Sequence, residues 1–286
     1  MRIKSLRWAL LIVSVVLLAI PNAHSKPAKK KAKTIAAEAS PAPEATPSLE
    51  PKALDILKAA SSRLAAARTM KFNAVHFYES PSRQGHPLAF TTKSEVTLQK
   101  PDKLRVIMPG DGPASEFYYD GQKMMAYAPA ENLVAVADAP PTIDAALEQA
   151  YRSAAIYFPF ADWIVADPYK EMSEGMKLAY YIGQSKVVGG TTTDMVAYID
   201  NGVFIQAWIG AEDKLPRLLH AIYLDDPERL RHTLILSDWQ LDPAVPADTF
   251  TSAKAASANP MPFAHPHPEA TPGAEPTAKG KPPKKQ

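Results

Sequence analysis

The sequence contains no cysteine. That excludes disulfides, thiolate metal sites and a lipidated N-terminal cysteine, so the core alone must hold the folded part together. Glycine is scarce, 12 in 286 residues, and no phosphate-cradling glycine loop, Gly-x-Ser-x-Gly elbow or His-Glu-x-x-His helix occurs. The commonest signatures of nucleotide, serine-hydrolase and zinc-protease chemistry are therefore missing. No catalytic residue, metal ligand or cofactor is expected. The chain also lacks an apolar run long enough for a bilayer: ALLIVSVVLLAI has 12 residues, against the roughly 20 needed. With MRIKSLRW before it and Pro21, Ala23 and Ser25 after it, this run has the layout of a secretory signal peptide over residues 1–25, cleaved between Ser25 and Lys26. An uncleaved anchor is the lesser alternative. A soluble, exported, non-lipidated periplasmic protein is expected.

Proline is unevenly spread. Of 28 prolines, 13 fall in residues 26–51 and 254–286. These Ala/Pro/Lys-rich segments cannot bury enough apolar surface to offset the entropy of ordering, which predicts a disordered linker over 26–50 and a disordered tail over 254–286. Between Pro51 and Ala253 stand 19 lysines and arginines against 25 aspartates and glutamates, a net charge of −6. The acidic folded part argues against nucleic acid, which needs a basic face on a folded domain. The basic tails are solvated tethers that could touch anionic membrane or cell wall.

The segment 51–253 has the size of one domain, and a monomer is expected. It opens on an amphipathic helix, PKALDILKAASSRLAAAR, with Leu54, Leu57 and Leu64 at helical spacing. The period then changes to two through a run of strands with Pro-Asp, Asp-Gly and Pro-Gly connections, which predicts an antiparallel meander. Residues 140–175 interrupt it. Thr142 is an N-cap candidate there, and the cluster Ile156 to Val165 is apolar enough to require burial against the sheet. Strands resume to Asp242, with Asn201-Gly202 the strongest hairpin signal. Within the first run, YYDGQKMMAYAP pairs apolar residues side by side, Tyr118 with Tyr119 and Met124 with Met125. Both faces of that hairpin need cover.

The block KPDKLRVIMPGDGPASEFYYDGQKMMAYAPAENLVAVADAP resembles the centre of the bacterial outer-membrane lipoprotein carriers, the LolA/LolB-like superfamily, at Lys100-Pro101, Pro109, Asp120-Gly121 and Tyr127 to Pro129. The stretches YYIGQSKVVGGTTTDMVAYI, AWIGAEDKLPRLLHAIYLDD and LILSDWQLDPAVPADTF are similar to a family of predicted periplasmic proteins within that superfamily, domain of unknown function 2092. The resemblance covers about residues 53–250. It implies an α+β fold: a strongly curved antiparallel sheet, an incomplete barrel, with an N-terminal helix and a helical lid over an apolar cavity. It implies a lipid or acyl chain as ligand, or a sensor role with an envelope protein as partner, and no catalytic residues. In the carriers an arginine on an inner strand binds the lid, and Arg105 lies in the matching neighbourhood.

Each ligand methylene removed from water contributes about 0.8 kcal/mol, so an acyl chain needs no specific polar contact. The candidate lining residues are Phe77, Val96, Leu98, Tyr119, Met125, Tyr127 and Trp208 from strands and Phe158, Phe160 and Trp163 from the lid. The bland alternative packs them all into a closed core. His76, His220 and His232 are isolated in sequence and read as outward or satisfied side chains. His265 and His267 fall in the tail. Asp225-Asp226 and Glu212-Asp213 read as solvated turns.

Overall fold

The computed structural model describes residues 48–110 and 113–265. The expected signal peptide, the linker up to residue 47 and the tail beyond residue 265 lie outside the described residues. Those described form one sheet of twelve strands with helices α1 (Pro51–Ala66), α2 (Ile143–Ala154), α3 (Ala161–Ile164), α4 (Pro168–Ser173) and α5 (Ala253–Ala256). Strands β1 (Thr69–Pro81), β2 (Pro87–Gln99), β3 (Lys103–Met108), β4 (Ser115–Tyr119), β5 (Lys123–Ala128) and β6 (Leu133–Asp138) precede the helical insertion. Strands β7 (Met176–Ser185), β8 (Thr193–Asp200), β9 (Val203–Gly210), β10 (Pro216–Tyr223) and β11 (Arg231–Leu241) follow it, and β12 (Asn259–Met261) comes last.

Two meanders are joined where β1 pairs antiparallel with β11, giving the order β12-β6-β5-β4-β3-β2-β1-β11-β10-β9-β8-β7. β12 and β7 are not paired with each other, so the barrel is incomplete. A flat sheet of this many strands would be about 50 Å across. Yet one core joins Phe117, Tyr119 and Met124 of β4 and β5 to Ala179, Val196 and Ala207 of β7 to β9. Only a strongly curved sheet brings both flanks to the same helices. This is the α+β half-barrel expected.

Helix α1 starts at Pro51, whose missing N–H costs nothing in a first turn, and buries Ala53, Leu57, Ala60, Ser61 and Leu64 on the concave face. Lys100 closes its other end by donating from Nζ to the Leu64 carbonyl at 3.0 Å. Thr142 caps α2 by accepting from the Ala145 N–H at 3.3 Å. Asp167 caps α4 in the same way, and the Tyr169 N–H donates to Ser61 Oγ at 2.8 Å, tying the lid to α1. Asn201 and Gly202 take positive φ in the turn joining β8 to β9, as the Asn-Gly signal requires.

Two boundaries are corrected: residues 48–50, expected in the disordered linker, pair with β7 through the Leu49–Ala179 bridge, and the expected tail starts too early. The tail was expected from residue 254, but α5 and β12 lie beyond it, and Ala255 is fully buried under Tyr118, Tyr127 and Val134. The Ser252 hydroxyl caps α5 by accepting from the Ala255 N–H at 3.2 Å. β12 lies parallel along β6. The Ala/Pro-rich composition that suggests a tail is here the composition of a thin cover, since a small side chain lets backbone approach the aromatic face.

Candidate functional site

Strand parity sorts the expected lining residues onto two faces. On β4 and β5, Tyr119 opposes Met124 and Phe117 opposes Ala126, all in the concave core. Tyr118 opposes Met125, and with Tyr127 they face outward beneath α5. The paired aromatics of YYDGQKMMAYAP thus serve one face each. Met125 and Tyr127 belong to the convex cluster and not to the concave face where Tyr119 lies.

Phe77 is 40% exposed, on the convex parity of β1, since Met70, Phe72 and Ala74 are the buried set. Trp208 also lies opposite the buried Ala207 and Ile209. Arg105 is a further correction. It shares an open cleft of about 480 Å³ with Lys71, Thr97, Tyr118, Pro246, Asp248, Thr249 and Thr251, on the convex side away from the lid, because Leu104 and Val106 take the concave positions.

Val96, Leu98, Tyr119, Phe158, Phe160 and Trp163 do come together, all buried on the concave face. Residues that sequence reasoning did not single out complete the packing. Phe117 meets Phe158 edge-on at 5.3 Å, Phe158 stacks on Phe160 at 5.6 Å, and Phe160 meets Phe72 edge-on at 5.4 Å. Phe72 in turn stacks on Trp239 at 4.3 Å. This aromatic ladder runs from β4 through the lid to β1 and β11 and packs this part of the concavity. Each such side chain contributes about 1.5–3 kcal/mol on burial. The Tyr119 hydroxyl donates to the Pro140 carbonyl at 2.5 Å, and burial pushes its phenol up to about 12.

The concave face continues past the ladder, and its character changes. The buried parity of β1 runs on to His76 and Tyr78. Tyr78 pairs with Phe90 of β2, and His232 of β11 sits opposite Tyr78. His76 Nε2 and His232 Nδ1 are 3.2 Å apart, and the Tyr223 hydroxyl is also 3.2 Å from His232 Nδ1. His76 stacks on Tyr78 at 5.3 Å, and Tyr78 on Phe90 at 5.6 Å. Phe90 is 44% exposed, Leu88 50% and Tyr157 of the insertion 37%. Here the face is apolar, aromatic and uncovered.

Burial keeps both imidazoles neutral. It depresses His76 to about 3, with the neighbouring His232 adding to the effect, and His232 to about 4, with Glu79 opposing. Asp162 of α3 reaches solvent but is enclosed enough by protein that desolvation raises it to about 6, with Glu171 and Asp200 adding repulsion. Desolvation, then the field of Asp162, raises the phenols of Tyr157, Tyr198 and Tyr223; the Tyr157 residue reaches solvent in part, but its hydroxyl is enclosed by protein. The charge of Asp162 is thus felt by tyrosines of the lid, β8 and β10.

The histidines are not isolated in space. A separation of 156 residues hides the His76–His232 pair from any motif search, and the only signal available was their shared parity with the buried positions of their strands. His220 lies on the convex face, where Nδ1 is 3.0 Å from Thr233 Oγ1. Beside it, Glu79 accepts from the Arg231 guanidinium at 2.6 Å, which holds the carboxyl below its usual range. Among the described residues no group of three or more histidines, acids or cysteines could hold a metal.

Residues 53–264 match the family model for predicted periplasmic protein, domain of unknown function 2092. No curated protein matches the sequence. Among solved structures the chain is similar to LprF from Mycobacterium bovis, at 15% identity and TM-score 0.40, over 71% of this chain and 98% of that one. It is also similar to a LolA superfamily protein from Nitrosomonas europaea, at 10% identity and TM-score 0.33, over 70% and 97%. A chain of the Pseudomonas aeruginosa MucA/MucB complex is similar at 14% identity and TM-score 0.40, over 71% of this chain and 62% of that chain. The match along nearly all of the described region settles the family: the chain belongs to the predicted periplasmic proteins of domain of unknown function 2092.

Proposed function

We propose that this is a periplasmic, non-enzymatic binding protein that receives an apolar ligand, the acyl chain of a lipid or lipoprotein, on the uncovered stretch of its concave face. The observation that carries this reading is the exposure of Leu88, Phe90 and Tyr157 on or beside that face, next to the aromatic ladder. An exposed apolar patch bordering a packed core is the usual mark of a binding surface, because leaving it in water costs about 25 cal/mol for each Å². An acyl chain lying along Phe90 and Tyr78 would extend the aromatic face that the lid has already covered. Organic extraction of protein purified from a periplasm, followed by mass spectrometry, should recover lipid near one per chain. Clean protein that also leaves fluorescent fatty acyl probes unbound would exclude the reading.

A second reading, a protein-interaction module of the envelope, is favoured by a different surface. On the convex face Val75, Ile235, Leu218, Trp208 and Met195 form one cross-strand row over β1, β11, β10, β9 and β8. Every one of them keeps some exposure. Trp208→Asp should abolish capture of an envelope partner while sparing lipid if this row is the docking surface.

A further inference from the structure

Arg105 faces away from the lid, and the convex cleft it shares has a regular construction. Lys71 of β1 opposes Thr97 of β2, Thr97 opposes Arg105 of β3, and Arg105 opposes Tyr118 of β4, so one cross-strand row lines the cleft. Neighbouring strands lie about 4.8 Å apart, which places the backbones of Lys71 and Arg105 about 10 Å from each other with Thr97 between them. Both cationic side chains are long enough to converge above the threonine. Thr97 is 6% exposed, and that exposure is at the cleft. The facing wall carries Asp248 and Thr249 and is pinned by the buried Phe250.

The protein does not pair the cations of this row. Lys93 pairs with Glu95 and Arg231 with Glu79 on the same face, whereas neither Lys71 nor Arg105 forms an ion pair among the described residues. Two carboxylates are near. Asp248 lines the cleft without pairing with either cation, and Glu116 accepts from the Tyr118 hydroxyl at 2.6 Å. Two positive charges thus face the one carboxylate that lines the cleft, so a bound oxyanion meets more attraction than repulsion.

We propose that Lys71, Thr97 and Arg105 bind the phosphate group of a phosphoester in the convex cleft. A guanidinium offers a fork of parallel N–H donors, an ammonium group and a hydroxyl add more, and a tetrahedral phosphate has oxygens enough to receive them all. A carboxylate, with fewer oxygens, matches fewer. At about 480 Å³ the cleft also exceeds a phosphate group, which leaves room for the alcohol it esterifies. The site lies on the face opposite the one proposed for the acyl chain and does not depend on that reading. A lipid headgroup and a soluble phosphoester share this chemistry, and the test separates them.

Calorimetric titration of the full mature chain with glycerol phosphate, and its flotation with phosphatidylglycerol vesicles, are compared with the same measurements on Arg105→Gln, Lys71→Gln and Thr97→Val. In Arg105→Gln binding should weaken about tenfold or more, and in Thr97→Val about fivefold, as for loss of a charge-assisted and of a neutral hydrogen bond. Acetate should bind about tenfold or more weakly than glycerol phosphate. Heat from glycerol phosphate that the substitutions remove assigns a soluble phosphoester; flotation that they remove, without such heat, assigns a lipid headgroup. Urea midpoints of the variants separate lost binding from lost folding, and where Arg105→Gln fails to fold, Lys71→Gln is read in its place. No binding in either assay, binding that the substitutions leave unchanged, or acetate matching glycerol phosphate overturns the assignment.

Discussion

At one end of the concave face Phe72 and Phe117 of the sheet and Phe158 and Phe160 of the lid are 0–3% exposed. At the other, Phe90 and Tyr157 reach solvent beside a hydrogen-bonded pair of neutral histidines. The same sheet, with the same alternation, produces both. The difference comes from length: β1 and β2 run for 13 residues each, whereas β3 to β6 run for 5 or 6. Under the lid Phe117, Tyr119 and Met124 of the short strands are buried, whereas Leu88 and Phe90 at the far part of the long hairpin are exposed. In the proposed reading the part of the half-barrel that extends past its lid is the binding surface.

The packed end should dominate stability. Phe160→Ala should cost about 3–5 kcal/mol, read as a lower urea midpoint, because the ladder cannot close over the hole. A small loss there would mean that the concavity is not packed as described. On the convex face, Ala255→Asp places an unpartnered carboxylate against Tyr118 and Tyr127. It should cost about 3 kcal/mol and raise binding of a hydrophobic dye as α5 detaches. Unchanged dye binding would show that α5 is not the cover of that face.

The open end should announce itself through pH. In the folded protein His76 and His232 titrate near 3 and near 4, against 6.5 when unfolded. Below pH 6.5 the unfolded chain therefore binds protons that the folded one refuses, and stability falls as pH drops toward 4. The loss should reach about 2 kcal/mol for each ring near pH 5. Asp162 acts in the opposite sense, since its folded value near 6 lies above 3.8. Contact with solvent keeps that contribution small. The double variant His76→Phe, His232→Leu should flatten the slope measured by urea midpoints from pH 7 to pH 5, and an unchanged slope would contradict the burial of the pair. Phe90→Ser, at the exposed margin, should shift stability by less than about 0.5 kcal/mol.

Much of the fold was legible in the sequence, because period and turn chemistry are local. Thr142 and Asn201-Gly202 occupy the cap and the turn their residue types require. Asp120 forms the hairpin turn, accepting from the Lys123 N–H at 2.8 Å. Which face is which is not local. Alternation separates Tyr118 from Tyr119 and Ala207 from Trp208, but assigning either set to the concave side needs a partner strand far along the chain. Met125, Tyr127, Phe77 and Trp208 were expected in the cavity for that reason, and the register sets them outside. The His76–His232 pair depends wholly on the joining of β1 to β11. The order of residues 254–261 escaped notice because Ala255 is buried for its smallness, a property composition does not reveal.

We propose that the uncovered end of the concave face, and not the convex row, takes the apolar ligand. Equilibrium binding of a fluorescent acyl chain to Phe90→Asp and Trp208→Asp tests it directly. Binding weakened about tenfold or more in Phe90→Asp, with Trp208→Asp within about twofold of the unsubstituted protein, is the expected result. The reverse order, with Trp208→Asp losing the probe and Phe90→Asp keeping it, would contradict the claim.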